Sequence, residues 1–217
     1  RSQAPCFPPA ARAAGPFWLF RHAAQLTPPA IDFRAMKKPL LFLGALCLLA
    51  GVSRAAVPSP SEFLAFEVGS DRKVADYRQI KSYFRALDTA SPRVEVVNLG
   101  PTTLGEEMIM AVISSEENLK NQARVREVSR KISDPRGLSN ADVDALVREG
   151  KVVLLVTCNI HSTEIASAQM AMELAHRLVT IDTLRRALDD VVVLLIPSAN
   201  PDGEQMVVDW YRRNLGT

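Results

Sequence analysis

Two continuous apolar runs dominate the second half of the chain, Val152-Val-Leu-Leu-Val-Thr-Cys158 and Val191-Val-Val-Leu-Leu-Ile196. Neither leaves alternate positions polar to face water, which predicts buried strands. Between them, Ile165, Ala168, Met172, Ala175 and Val179 recur every three or four residues. That spacing predicts a helix ending near Thr180, with Ser162 or Thr163 as its N-cap, and Leu184 to Leu188 adds a short turn. Upstream, Val74, Tyr77, Ile80, Tyr83 or Phe84, and Leu87 mark a helix with one buried face, ended by Ser91-Pro92. Val94–Leu99 and Met108–Ile113 read as strands joined by the Gly100–Gly105 turn, an antiparallel hairpin. Glu117–Ile132 reads as one polar helix closed by Asp134-Pro135-Arg136-Gly137, and Asp142–Arg148 as a short helix stopped by Gly150.

Strand, helix, strand with both strands apolar predicts a parallel pair covered by helices on both faces. The expected class is therefore α/β, with a mixed, largely parallel sheet whose first hairpin is antiparallel. In such sheets, sites gather beyond the carboxyl ends of the strands.

The first 55 residues follow another pattern. Residues 1–35 are rich in Ala, Pro and Arg, without helix or strand periodicity, and read as an upstream extension. From Met36, a basic pair (Lys37-Lys38), a short apolar stretch from Leu40 to Ala50, and small residues at Ser53 and Ala55 have the order of a secretory signal. The apolar stretch is short for a membrane span, so no stable membrane anchor is expected. Cleavage near Ala55 would leave 56–71 as a lead-in and 72–217 as the folded part, in a secreted or periplasmic protein. Cys6 and Cys47 would be lost, leaving Cys158 as a small buried residue without a disulfide partner.

At 217 residues and 47% hydrophobic, the chain can build one ordinary core. Its net charge of +2 and the lack of a basic run interleaved with aromatics argue against nucleic acid as a partner.

Candidate chemistry lies at the two strand ends. His161 and Glu164, three residues apart after the first run, offer a neutral nitrogen and an anionic oxygen, a donor pair suited to zinc. Alone, H-x-x-E is equally a polar helix start. After the second run, Asn200-Pro201-Asp202-Gly203 has the composition of a tight turn. Further on, Trp210-Tyr211-Arg212-Arg213-Asn214 is either an exposed basic patch or a clamp for a carboxylate or oxyanion.

Taken in order, His161-Ser-Thr-Glu164 after one strand, Asn200-Pro-Asp-Gly203 after the next, and the Trp-Tyr-Arg-Arg segment resemble the zinc carboxypeptidases, the carboxypeptidase A-like metallopeptidases. The Leu99–Gly105 hairpin turn resembles the early strand pair of that family, and the likeness spans roughly residues 72–217. The resemblance implies the front part of a phosphorylase/hydrolase-like carboxypeptidase fold, with His161 and Glu164 as the first two ligands of a single Zn2+. It implies that Arg212, or Arg213 because Tyr211 intrudes after the Trp, polarises the scissile carbonyl and grips substrate. Zinc would supply Lewis-acid polarisation and activate water. The family's third zinc ligand, a His, and its general base, a Glu, would lie beyond Thr217. His176, further along the helix, is too far to substitute.

The expectation is thus an exported metallocarboxypeptidase acting on peptide or protein substrates, incomplete and inactive over these residues alone. Two other readings stand beside it: a zinc amide hydrolase of the same fold with a different substrate, and a secreted, non-catalytic binding domain.

Overall fold

The computed structural model describes residues 56–214. The elements are α1 (Pro60–Leu64), α2 (Tyr77–Ala90), β1 (Val94–Pro101), β2 (Glu107–Ile113), α3 (Glu116–Lys120), α4 (Gln122–Ser133) and α5 (Asn140–Glu149). They continue with β3 (Val152–Thr157), α6 (Ala166–Thr180), α7 (Asp182–Ala187), β4 (Val191–Ile196) and α8 (Pro201–Asn214). The extension, the signal-like segment, Cys6 and Cys47 lie outside the described residues.

The four described strands form one mixed sheet in the order β1-β2-β4-β3. β1 and β2 make the expected antiparallel hairpin, which pairs Val94 with Ile113 and Val97 with Met110. β3 and β4 are parallel, from Val152 beside Val191 to Thr157 beside Ile196. β2 lies antiparallel to β4, so among the described strands the parallel part is the β3–β4 pair.

Period-2 alternation sends Ile109, Ala111 and Ile113 of β2, with Val193 and Leu195 of β4, onto one face. There they pack with Ile80, Phe84 and Leu87 of α2 and with Ala168, Ala171, Met172 and Ala175 of α6. The intervening Met110, Val112, Val192 and Leu194 face the other way, toward Leu119 of α3 and Val125 of α4. Helices therefore lie on both faces, as the apolar runs predict.

Local chemistry accounts for the helix boundaries. Asp76 caps α2 in a reciprocal box with Gln79, and Ser139 caps α5 with Asp142. The single polar helix predicted over 117–132 is two helices. They meet at Asn121, whose N–H donates to the Glu117 carbonyl as α3 closes and whose carbonyl accepts from Arg124 and Val125 as α4 begins.

The apolar run of β3 differs most from expectation. β3 is an edge strand here, and Val152, Leu154 and Leu155 are 64%, 50% and 59% exposed. Its apolar composition matches a two-sided interior position, but its outer edge has no neighbour among the described residues. The central position that such a run predicts falls to β4, where Val192, Val193 and Leu195 are buried.

Candidate metal centre

The β3 and β4 ends stay tied beyond the ladder. The Cys158 N–H donates to the Ile196 carbonyl at 3.0 Å, and the Ala199 N–H donates to the Cys158 carbonyl at 2.8 Å. Asn159 then turns the chain with φ of 51°, a left-handed conformation that asparagine adopts more readily than most residues. Its N–H donates to Ser167 Oγ at 2.9 Å, and Ser167 Oγ donates to the Glu164 carbonyl at 2.8 Å. The Glu164 N–H closes a turn on the His161 carbonyl at 2.9 Å.

Residues 161–164 are thus a tight turn held to the base of α6. The helix itself starts at Ala166, after an N-cap position occupied by Ile165. Ser162 and Thr163 do not cap it. Ser167 already satisfies the backbone around the turn, and Ser162 faces the neighbouring loop.

In this turn His161 Nδ1 lies 3.0 Å from Glu164 Oε1, and the two side chains are 75% and 54% exposed. One cation bonding each donor at about 2.0–2.2 Å can span that separation. The two side chains, hydrogen-bonded to each other here, are compatible with two ligand positions of a zinc site. Among the described residues no group of three or more His, Cys, Asp or Glu side chains gathers to hold a metal.

The loop after β4 supports this turn directly. Asn200-Pro-Asp-Gly203 begins α8 and is not the free-standing tight turn that its composition suggests. Pro201, whose missing N–H costs nothing in the first turn, opens the helix, and Asn200 Oδ1 caps it by accepting the Gly203 N–H at 3.0 Å. The same Asn200 side chain donates through Nδ2 to the Ile160 carbonyl and to Ser162 Oγ, each at 3.3 Å. Gly203 leaves room for the neighbouring side chains: a Cβ there would strike Ser162 Oγ and lie 2.7 Å from Asn200 Nδ2, so both would have to shift. Asp202 reaches the hairpin, accepting from Thr102 Oγ1 at 2.6 Å and from the Leu104 N–H at 3.1 Å.

The two arginines at the far end of α8 are engaged differently. Arg212 donates to Asp76 Oδ2 at 2.7 Å, to Gln79 Oε1 at 3.0 Å and to the Val74 carbonyl at 3.1 Å, binding α8 to the start of α2. Arg213 is exposed, and its Nε donates to the Asp209 carbonyl at 3.2 Å. Trp210 is half exposed.

A buried polar group beside the turn was not anticipated. Glu204 is completely buried in the first turns of α8, with Asn159 and Ser198 also buried. Burial pushes its carboxyl up to about 7, against the lowering influence of the Ser198 and Asn159 side chains and with a further push from Asp76. Burial, and secondarily Glu204, also raises the Cys158 thiol. A signal was present in the sequence: Pro201, Glu204 and Val208 share one helical face, and all three are buried.

The sequence model of the zinc carboxypeptidase family, Peptidase M14, matches residues 80–216. The chain belongs to the zinc carboxypeptidase family. Among solved structures, it is similar to carboxypeptidase A from Helicoverpa armigera, at 19% identity and a TM-score of 0.47, over 80% of this chain and 33% of that one. Bovine thrombin-activatable fibrinolysis inhibitor, solved with a tick carboxypeptidase inhibitor, matches at 14% identity and a TM-score of 0.41, over 67% and 36% of the two chains. A Burkholderia cenocepacia metallo-carboxypeptidase matches at 19% identity and a TM-score of 0.38, over 57% and 26%. This zinc carboxypeptidase chain thus spans about a third of the length of the carboxypeptidase structures it matches. No curated protein sequence matches it. Among the described residues no helix is long and apolar enough to cross a membrane.

Proposed function

We propose that the whole protein is an exported zinc metallocarboxypeptidase that hydrolyses the C-terminal peptide bond of peptides or proteins. The observation that carries this reading is the convergence of His161 Nδ1 and Glu164 Oε1 to 3.0 Å, in a turn beyond the carboxyl end of a parallel strand, within a family match over residues 80–216. In this reading His161 and Glu164 hold the single Zn2+, and the third ligand and the general base come from sequence beyond Thr217. The zinc supplies Lewis-acid polarisation of the scissile carbonyl and activation of water. Residues 56–214 alone have no catalytic activity.

Of the two candidate arginines, Arg213 is the better supported for steadying charge on the carbonyl oxygen. Arg212 already spends its guanidinium on Asp76, Gln79 and the Val74 carbonyl, whereas Arg213 makes one contact with its own helix. The Met36–Ala55 segment would direct export and be removed near Ala55.

The test is hydrolysis by the full-length protein of a peptide with a free C-terminal carboxylate, beside the same peptide amidated at its C-terminus. Release of the terminal residue from the free peptide alone is the expected result. Equal cleavage of both would indicate an amide hydrolase with another substrate. No cleavage of either would indicate a binding domain.

A further inference from the structure

Three of the five buried side-chain atoms without a hydrogen-bond partner among the described residues belong to Glu204 and to Asn159, the residue that opens the candidate metal turn. Both carboxyl oxygens of Glu204 and the Oδ1 of Asn159 are buried without a hydrogen-bond partner of ordinary geometry. Buried polar atoms left unpaired are costly, so three on two neighbouring side chains call for an explanation. Asn159 Nδ2 donates to Ser198 Oγ at 3.2 Å, which leaves the Ser198 hydroxyl proton free to donate. Ser198 and Asn159 are also the side chains beside Glu204, where burial pushes the carboxyl up and their hydrogen bonding opposes that push.

With the Asn159 amide oriented as it is here, the donor count favours a neutral Glu204. An ionised Glu204 only accepts, so two uncommitted donors, the Ser198 hydroxyl and the second Asn159 amide N–H, would face three orphaned acceptor atoms. A neutral Glu204 adds the missing donor. Ser198 Oγ then donates to one Glu204 oxygen, the other Glu204 oxygen donates to Asn159 Oδ1, and Asn159 Nδ2 donates to Ser198 Oγ. The ring closes with three donors and three acceptors. Asp76, Tyr77 and Cys158 act electrostatically with Glu204 and none of them is a cation, Glu204 has no ion pair among the described residues, and Arg212 is committed to Asp76. A buried carboxylate there would lack a counter-charge.

We propose that Glu204 is a positioning residue, whose uncharged carboxyl closes a three-membered hydrogen-bond ring with Asn159 and Ser198 and so fixes the left-handed turn that presents His161 and Glu164. The part concerning metal rests on the zinc reading above; the ring itself does not. Asn159 is where the chain leaves β3, so a loosened Asn159 side chain moves the turn that follows.

The experiment uses the full-length protein. Infrared difference spectra of wild type against Glu204→Gln, at about pH 6 where an ordinary glutamate is ionised, report a protonated carboxyl. Zinc affinity by chelator competition is measured for wild type, Glu204→Gln and Glu204→Met. The amide of Gln both donates and accepts, so it keeps the ring, whereas Met fills the space without either. The expected result is a protonated-carboxyl band lost in Glu204→Gln, near-native zinc affinity in that variant, and about 10–100-fold weaker zinc binding in Glu204→Met. Should Glu204→Met fail to fold, Ser198→Ala, which removes one donor of the ring, replaces it and is expected to weaken zinc binding.

Absence of the band in wild type would overturn the proposal and leave the Asn159 amide turned to donate to an ionised Glu204. Native zinc affinity in the variant that breaks the ring would overturn the positioning role. A wild-type protein that bound no zinc would refute the zinc reading, while the band would still decide the ring.

Discussion

Between about pH 4.5 and 7 the stability of this fold carries a pH dependence to which Glu204 contributes directly. Glu204 is completely buried, and its carboxyl titrates at about 7 rather than at the ordinary 4.5. Below about pH 4.5 the native and unfolded chains both hold this proton, and its contribution is fully present. Between there and about 7 the unfolded chain has lost the proton while the native one keeps it, so stability falls as pH rises. Above about 7 both forms are ionised and the loss is complete. A shift of roughly 2.5 units at about 1.4 kcal/mol each gives a loss on the order of 3 kcal/mol. Other carboxyls also titrate, among them Glu127, Asp134, Asp142 and Glu149, each held low by a hydrogen-bonded partner. Comparing wild type with Glu204→Gln cancels them. Urea denaturation of both proteins at half-unit steps from about pH 5 to 8 should show the stability of wild type, relative to the variant, falling steadily. A difference that is flat or rises with pH would refute a buried, uncharged Glu204.

Other consequences follow from the same contacts. Asn200→Ala removes the cap of α8 and both donations to the Ile160–Ser162 backbone and hydroxyl; it should cost about 1 kcal/mol in denaturation and speed zinc loss to a chelator. Gly203→Ala would normally favour a helix by about 1 kcal/mol, yet here the new methyl meets Ser162 Oγ and Asn200. A lower melting temperature is expected, and a higher one would contradict the packing described. Arg212→Ala should destabilise by about 1 kcal/mol, through loss of its partly exposed Asp76 pair. Arg213→Ala should leave denaturation within about 0.5 kcal/mol of wild type while lowering kcat/KM on a free C-terminal peptide. The reverse pattern would give the catalytic role to Arg212.

Much of this architecture is legible in the sequence because periodicity reports on burial. The three-to-four spacing in α2 and α6 predicts the helix faces that the core uses, whereas β2, apolar at every position from 108 to 113, does not reveal which of its faces is buried. Where the apolar runs mislead, the reason is physical. The Val152–Thr157 run specifies a strand suited to an interior, but composition cannot say which neighbour covers it, and its outer edge has no neighbour among the described residues. Asn-Pro-Asp-Gly is favourable both for a tight turn and for the start of a helix, and the packing of α8 selects the helix. His161 and Glu164 stand out as a pair because a neutral nitrogen and a carboxylate three residues apart are an unusual combination at the end of an apolar strand. Glu204 was hidden because an acid on an otherwise apolar helical face reads as an exception, until its buried neighbours Asn159 and Ser198 are seen.

Zinc bound by the full-length protein is the most direct test of the central claim. Metal analysis after exhaustive dialysis should give one zinc per chain for wild type, and almost none for His161→Ala, with hydrolysis lost in parallel. One zinc per chain in His161→Ala, with activity intact, would show that the turn after β3 is not the metal centre.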